Sequence, residues 1–275
     1  MKRGKLLVLP AMGWLGLFFA LPLLIVVIVS FASRTPYGQV VFNWTLENYI
    51  QFLEPLYLKI FVFTLGTAFL TTLLTFAMGY PVAYTIAMVL PKKWQQAGII
   101  LVMIPFWINF LIRSYSWVII LRAHGLVNSF LMSIGAIKVP LQLLYNNTAV
   151  LIGMVYGLLP FMVLPIYTVL EQNQQCFIDA ALDLGANRRQ VFLYVILPLS
   201  KPGIISGITM VFIPAISTFE ITALLGGNKS NLIGNMIEQQ FTVVGDWHYG
   251  STISLILMIF ILISLLFDKE ENQNA

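Results

Sequence analysis

Long apolar runs separated by short polar stretches set the pattern of this chain: Leu6–Phe31, Ile60–Val89, Gly98–Leu121, Thr148–Leu170, Pro202–Leu225 and Gly250–Phe267. A helix of about 20 apolar residues crosses the hydrocarbon of a bilayer. None of the runs alternates with the two-residue period of a membrane β-barrel strand, so the pattern predicts six membrane-spanning helices. The third run is broken by Arg113. Either its guanidinium snorkels to the headgroup level while the helix continues, or the span ends there and an interfacial helix follows; the first is the expectation. The longest polar stretch is the loop between the fourth and fifth runs, Glu171–Lys201.

Composition agrees with the pattern. Of 275 residues, 59% are hydrophobic and only 9% charged, and the mean hydropathy is +0.88. A soluble domain carries about 25% charge, so a water-soluble globule and a disordered chain are both excluded. The net charge of +4 gathers into no basic stripe, which removes nucleic acid as a partner. Cys176 is the single cysteine, so there is neither an intramolecular disulfide nor a multi-cysteine zinc site. Lys2, Arg3 and Lys5 ahead of an apolar stretch imitate a secretory signal. The stretch from Leu6 to Val29 outruns the roughly 7–15 residues of a signal core. A retained first span is expected, with a cleaved signal as the alternative.

The basic residues also orient the chain. With the N-terminus in the cytoplasm, the inner segments hold Lys2, Arg3, Lys5, Lys92, Lys93, Arg188, Arg189, Lys201 and Lys269. The outer segments hold Arg34, Lys59, Arg113, Arg122, Lys138 and Lys229 over a greater length. The positive-inside rule therefore places both termini in the cytoplasm.

Several chemistries are missing. His124 and His248 fall in outer loops or at span edges, and no Ser or Cys has a base nearby in sequence. There is no H-E-x-x-H and no G-x-x-x-x-G-K-[ST], so the chain does not hydrolyse ATP through a P-loop. Intramembrane charges are too few for a proton relay, and the two halves show no internal match, which weighs against an ion-coupled carrier. An enzyme is therefore not expected, and if the protein moves something uphill the energy comes from a partner.

Within the inner loop, Gln174–Leu184 is rich in helix formers, and Gly185 can close that helix in the left-handed conformation. Asn187 can cap a second helix, with Gln190 reaching back. Phe192, Val195 and Ile196 give the second helix an apolar face, Pro198 is expected to stop it, and Pro202 suits the first turn of the next span. Ala180 and Ala181 leave a smooth stretch for close approach. Asp179 and Asp183 can pair with Arg188 and Arg189, locally or across an interface. On this pattern alone, an amphipathic loop lying on the membrane surface serves equally well.

The run Asp179-Ala-Ala, three residues, Gly185, nine residues, then Val195-Ile-Leu197-Pro198 resembles the EAA loop of the permease subunits of bacterial ABC importers, with Asp179 for Glu and Val195 for Ile. Ile104-Pro-Phe-Trp-Ile-Asn-Phe-Leu-Ile-Arg-Ser-Tyr115, Gly79-Tyr-Pro-Val-Ala83, Leu159-Pro-Phe-Met-Val163, Leu232-Ile-Gly-Asn235 and Glu47-Asn-Tyr resemble the spermidine/putrescine permeases of the PotB type. That resemblance implies an all-α integral membrane protein with six transmembrane helices in the type I ABC importer (MetI-like) permease fold, a single domain over 1–275. It implies a coupling loop, 171–201, that docks on a cytoplasmic ATPase through Asp179, Ala180, Ala181, Asp183, Gly185, Arg188, Arg189, Leu197 and Pro198. The implied partners are a homologous second permease (PotC type), two ATPase subunits (PotA type) that bind the ATP and Mg, an extracytoplasmic polyamine-binding protein (PotD type) and membrane lipid. The chain itself is then expected to hold no cofactor or metal.

A polycationic cargo needs acidic or aromatic faces along its path. Glu220 is the acidic residue well inside a predicted span, roughly 7–8 Å from its outer end at helical rise. A carboxylate at a helix centre costs about 2.5–3.5 kcal/mol to insert, so a retained one should face a path or a partner. Phe219, Trp107, Tyr115 and Trp117 could offer cation–π faces. They could equally be interfacial anchors, and Glu220 could instead pair with Arg113 or with the sister subunit. The residues permit a polyamine without singling it out; another small cationic or organic solute stays open.

Overall fold

The apolar runs fold as helices because a backbone without water must satisfy its own polar groups. A computed structural model describes residues 10, 12–34, 40–41, 43–172, 175–227 and 230–273; Lys2, Arg3, Lys5, Gln174, Lys229 and the first residues of the first run lie outside them. The helices are α1 (Met12–Ser30), α2 (Glu47–Phe52), α3 (Pro55–Val89), α4 (Lys92–Trp107), α5 (Phe110–Leu121), α6 (Leu126–Ser133), α7 (Asn147–Glu171), α8 (Gln175–Asp183), α9 (Arg188–Ser217), α10 (Ile233–Gln239) and α11 (Trp247–Gln273). Among the described residues the only strands are two-residue stubs, Ser33–Arg34 against Val40–Val41.

By its internal contacts the chain divides into two units. The first comprises α1, α2, the start of α3, α10 and α11 as far as Leu266. It is knotted at the end of α1. Asn48 donates to the carbonyls of Ser30 (3.2 Å) and Ala32 (2.9 Å), Ser30 shares a 2.8 Å hydrogen bond with the Tyr49 hydroxyl, and Thr252 donates to the Ser30 carbonyl at 3.1 Å. Edge-on ring pairs Tyr57–Tyr249 and Phe61–Phe260 tie α3 to α11. The apolar stretch of α1 itself contributes no buried residue to the unit.

The second unit carries the rest of α3 and α4 through α9. Its centre is the α7–α9 pair, brought close by small residues, as in many membrane helix pairs. Gly203 and Gly207 lie along the α9 face turned to Met162, Pro165 and Ile166 of α7. A Cβ at Gly203 would stand 2.8 Å from the Pro165 carbonyl oxygen, and one at Gly207 the same distance from the Met162 sulfur. A second cluster joins Val118 and Leu121 of α5 to Val150 and Met154 of α7 and to Ile221 and Leu225.

Three expectations are corrected here. The third run is not one straight helix: α4 and the helical segment Phe110–Ser133 meet at 87°. α4 runs through Pro105 and ends at Trp107, Ile108 is extended, and Asn109 opens the next helix, its side chain accepting from the Leu111 amide at 2.9 Å. The fifth run does not extend to Leu225. α9 stops at Ser217, Thr218 is extended, and a single wide turn, Thr222–Gly226, follows. Nor does Pro198 stop the second loop helix, because α9 runs unbroken from Arg188 to Ser217. A π-turn at Phe192–Ile196 lies just ahead of Pro198, with the Leu197 amide bonded to the Phe192 carbonyl. The extra residue in that turn makes room for the proline ring.

Candidate coupling loop and transport path

The corner between α8 and α9 is built from local hydrogen bonds. Gly185 has φ +85°, and the amides of Gly185 and Ala186 bond to the carbonyls of Leu182 (2.9 Å) and Ala181 (3.0 Å). These two bonds form a Schellman closure, which satisfies the last carbonyls of α8. Two residues later the chain restarts. Asn187 accepts from the Gln190 amide at 3.0 Å while the Gln190 side chain accepts from the Asn187 amide at 2.8 Å, the reciprocal capping box that the sequence predicts.

The surface of this corner is apolar where isolation would make it polar. Phe177, Leu182 and Leu184 are exposed, Leu184 at 89%, and Ala180 is exposed beside Phe177. Asp179, Asp183, Arg188 and Arg189 are exposed around them, while Leu197 is half-buried and Pro198 exposed on α9. The corner is an apolar knuckle rimmed with both signs of charge.

The transport-path candidates are distributed differently. Trp107 ends α4 and is 78% exposed. Tyr115 is exposed on the face of α5 that also carries Leu111, Ile112 and Ile119. Trp117 lies on the other face, edge-on to Tyr156 with ring centroids 5.4 Å apart, and packs against the cluster that includes Ile221 and Leu225. Phe219 and Glu220 directly precede Ile221, so the structure brings them to the same part of the unit as Trp117 but leaves Tyr115 turned elsewhere. Glu220 is half-buried and accepts from the Thr218 hydroxyl at 3.4 Å. It follows the end of α9, so the depth computed from an unbroken fifth helix does not apply.

Arg113 is also corrected. It is 9% exposed and does not snorkel. Its guanidinium donates to the Pro105 carbonyl at 3.0 Å and lies 5.5 and 5.8 Å from the ring centres of Phe110 and Tyr156. Among the described residues no ion pair joins it to Glu220. The cation therefore clasps the bend between α4 and α5 by neutralising a free helix-end carbonyl. Arg113→Met is expected to destabilise the detergent-solubilised protein by about 1–3 kcal/mol, because the half-buried Pro105 carbonyl loses its donor. A lowered thermal midpoint is the readout; an unchanged midpoint removes the clasp.

The chain belongs to the family described as binding-protein-dependent transport system inner membrane component, whose model matches residues 1–268. It is thus a multi-pass inner-membrane subunit of a transport system. It is 40% identical over 265 residues to the spermidine/putrescine transport system permease protein PotB of Salmonella typhimurium, covering 96% of this chain and 92% of that one. The PotB of Escherichia coli K12 is likewise 40% identical, covering 94% of each chain. The fold matches a crystal structure of a bacterial ABC transporter involved in import of the acidic polysaccharide alginate, with a TM-score of 0.83 and 19% identity over 100% of this chain and 97% of that one. That is the MetI-like permease fold of ABC importers.

Proposed function

We propose that this chain is a permease subunit of an ABC importer for spermidine and putrescine, forming half of the pathway. The six runs cross the membrane with both termini in the cytoplasm, and segment 171–201 is the cytoplasmic coupling loop. A homologous PotC-type permease supplies the other half, two PotA-type ATPases bind and hydrolyse ATP with its magnesium, and a PotD-type binding protein delivers the cargo from outside.

The observation that carries the reading is the apolar knuckle: a short helix locked by Gly185 and a capping box, presenting Phe177, Leu182 and Leu184 without cover. Exposed side chains of that kind call for a partner groove, and Ala180 lets it approach closely. Identity of 40% to PotB proteins over nearly the whole chain supports the cargo. The chemistry of Glu220 with the neighbouring Phe219 and Trp117 is compatible with a passing ammonium group.

The test is radiolabelled spermidine uptake in cells lacking their own polyamine importers, with putrescine as competitor and the four components co-expressed. ATP-dependent uptake that putrescine inhibits is expected. Uptake by this chain without an ATPase would overturn the reading. Within it, Glu220→Gln is expected to raise the half-saturating spermidine concentration several-fold while the complex still assembles; unchanged uptake kinetics remove Glu220 from the path.

A further inference from the structure

Two π-turns stand at the ends of helices near the coupling loop. One, Thr85–Val89, closes α3; the other, Phe192–Ile196, lies early in α9, and α8 packs against it. Between them sits an aromatic cluster. The Phe192 ring meets Tyr84 edge-on with centroids 5.7 Å apart, and Tyr80 edge-on at 6.1 Å. Tyr80 is 7% exposed, and its hydroxyl lies 3.3 Å from the Ser200 hydroxyl. Ser200 donates its own proton to the Leu197 carbonyl at 2.8 Å, so Tyr80 is the donor to Ser200. Leu197 is the residue whose amide closes the π-turn on Phe192. One side of Phe192 is thus held by two α3 rings, and the turn that carries it is fastened to α3 through Tyr80, Ser200 and Leu197.

We propose that Phe192 is a positioning residue for transport: seated against Tyr80 and Tyr84, it passes displacement of the coupling loop on to α3. This inference rests on the importer reading above. Single π-turns inside α-helices occur frequently at functional sites. The edge-on rings resist sliding in a way that an aliphatic contact does not, because their attraction depends on mutual orientation. Movement of α8 therefore bears on the turn that carries Phe192, and the rings carry it across to α3.

The test uses the complete importer in proteoliposomes loaded with ATP, with spermidine uptake and ATP hydrolysis measured on the same preparation. Phe192→Leu keeps an apolar side chain of similar bulk and removes the ring. It is expected to lower spermidine moved per ATP hydrolysed by about tenfold, with hydrolysis itself changed less than about twofold. Phe192→Tyr is expected to restore the ratio, and Tyr84→Leu to lower it in the same direction. An unchanged ratio in Phe192→Leu overturns the proposal. So does loss of the ATPase from both leucine variants, which would make the cluster a packing element only. If the unaltered complex hydrolyses ATP without importing spermidine, it is the importer reading that fails.

Discussion

Gly185→Val is expected to abolish most spermidine uptake, by about tenfold or more, while leaving the membrane helices folded. A Cβ at this position would meet nothing within 4 Å, so the substitution creates no clash. Its cost is conformational. Left-handed backbone costs an L-residue about 1–2 kcal/mol, and a β-branched one more. At φ +85° valine would pull the corner out of that region and break the bonds from Gly185 and Ala186 to the end of α8. The knuckle would then lose its fixed angle to α9. Asparagine tolerates the left-handed region, so Gly185→Asn should keep most of the uptake. Uptake measured alongside ATPase co-purification separates the cases: full uptake by the valine variant would show that the corner need not be rigid.

Gly203→Leu is expected to have the largest effect on folding. Here the Cβ would sit 2.8 Å from the Pro165 carbonyl oxygen and 3.0 Å from the Ile166 Cα, both backbone atoms that cannot step aside. Relief requires moving α9 away from α7, which uncovers Met162 and Ile166, both at 0% exposure. Overpacking of this kind costs about 1–3 kcal/mol, occasionally more. Fluorescence-detected size exclusion of the solubilised protein should show the monodisperse peak lost or much reduced. Gly66→Ala is the control, since a Cβ there meets nothing within 4 Å; its peak should be unchanged.

Much of this architecture can be read from residue order because its causes are local or set by the bilayer. Among the described residues the apolar runs become largely helical, since length and composition decide that. Gly185 and the Asn187–Gln190 cap form because each needs only a few neighbouring residues. The failures have identifiable causes. Pro198 is a reliable stop signal in a regular helix, but a π-turn just before it accommodates the ring, and nothing in the residue order marks a π-turn. Asn109 carries an ordinary cap signal, but inside an apolar run it fits a continuous span equally well. Trp117 and Tyr115 are two residues apart, so on a helix they must face different ways, yet only the packing of α5 decides which one turns inward. The four-residue spacing of Gly203 and Gly207 gains meaning only beside Met162 and Pro165. Arg113 needed no carboxylate, since a free carbonyl at a bend and two aromatic rings satisfy it.

The unbroken course of α9 has a mechanical consequence. Arg188 to Ser217 is 30 residues in one rod, about 45 Å at helical rise. The capping box fixes its near end to the corner with α8, and its far end stops at Thr218, two residues before Glu220. A lever of that length magnifies: about 5° of tilt at the corner swings the far end by about 4 Å, roughly the width of a methylene chain. The carboxylate beyond its tip would travel with it.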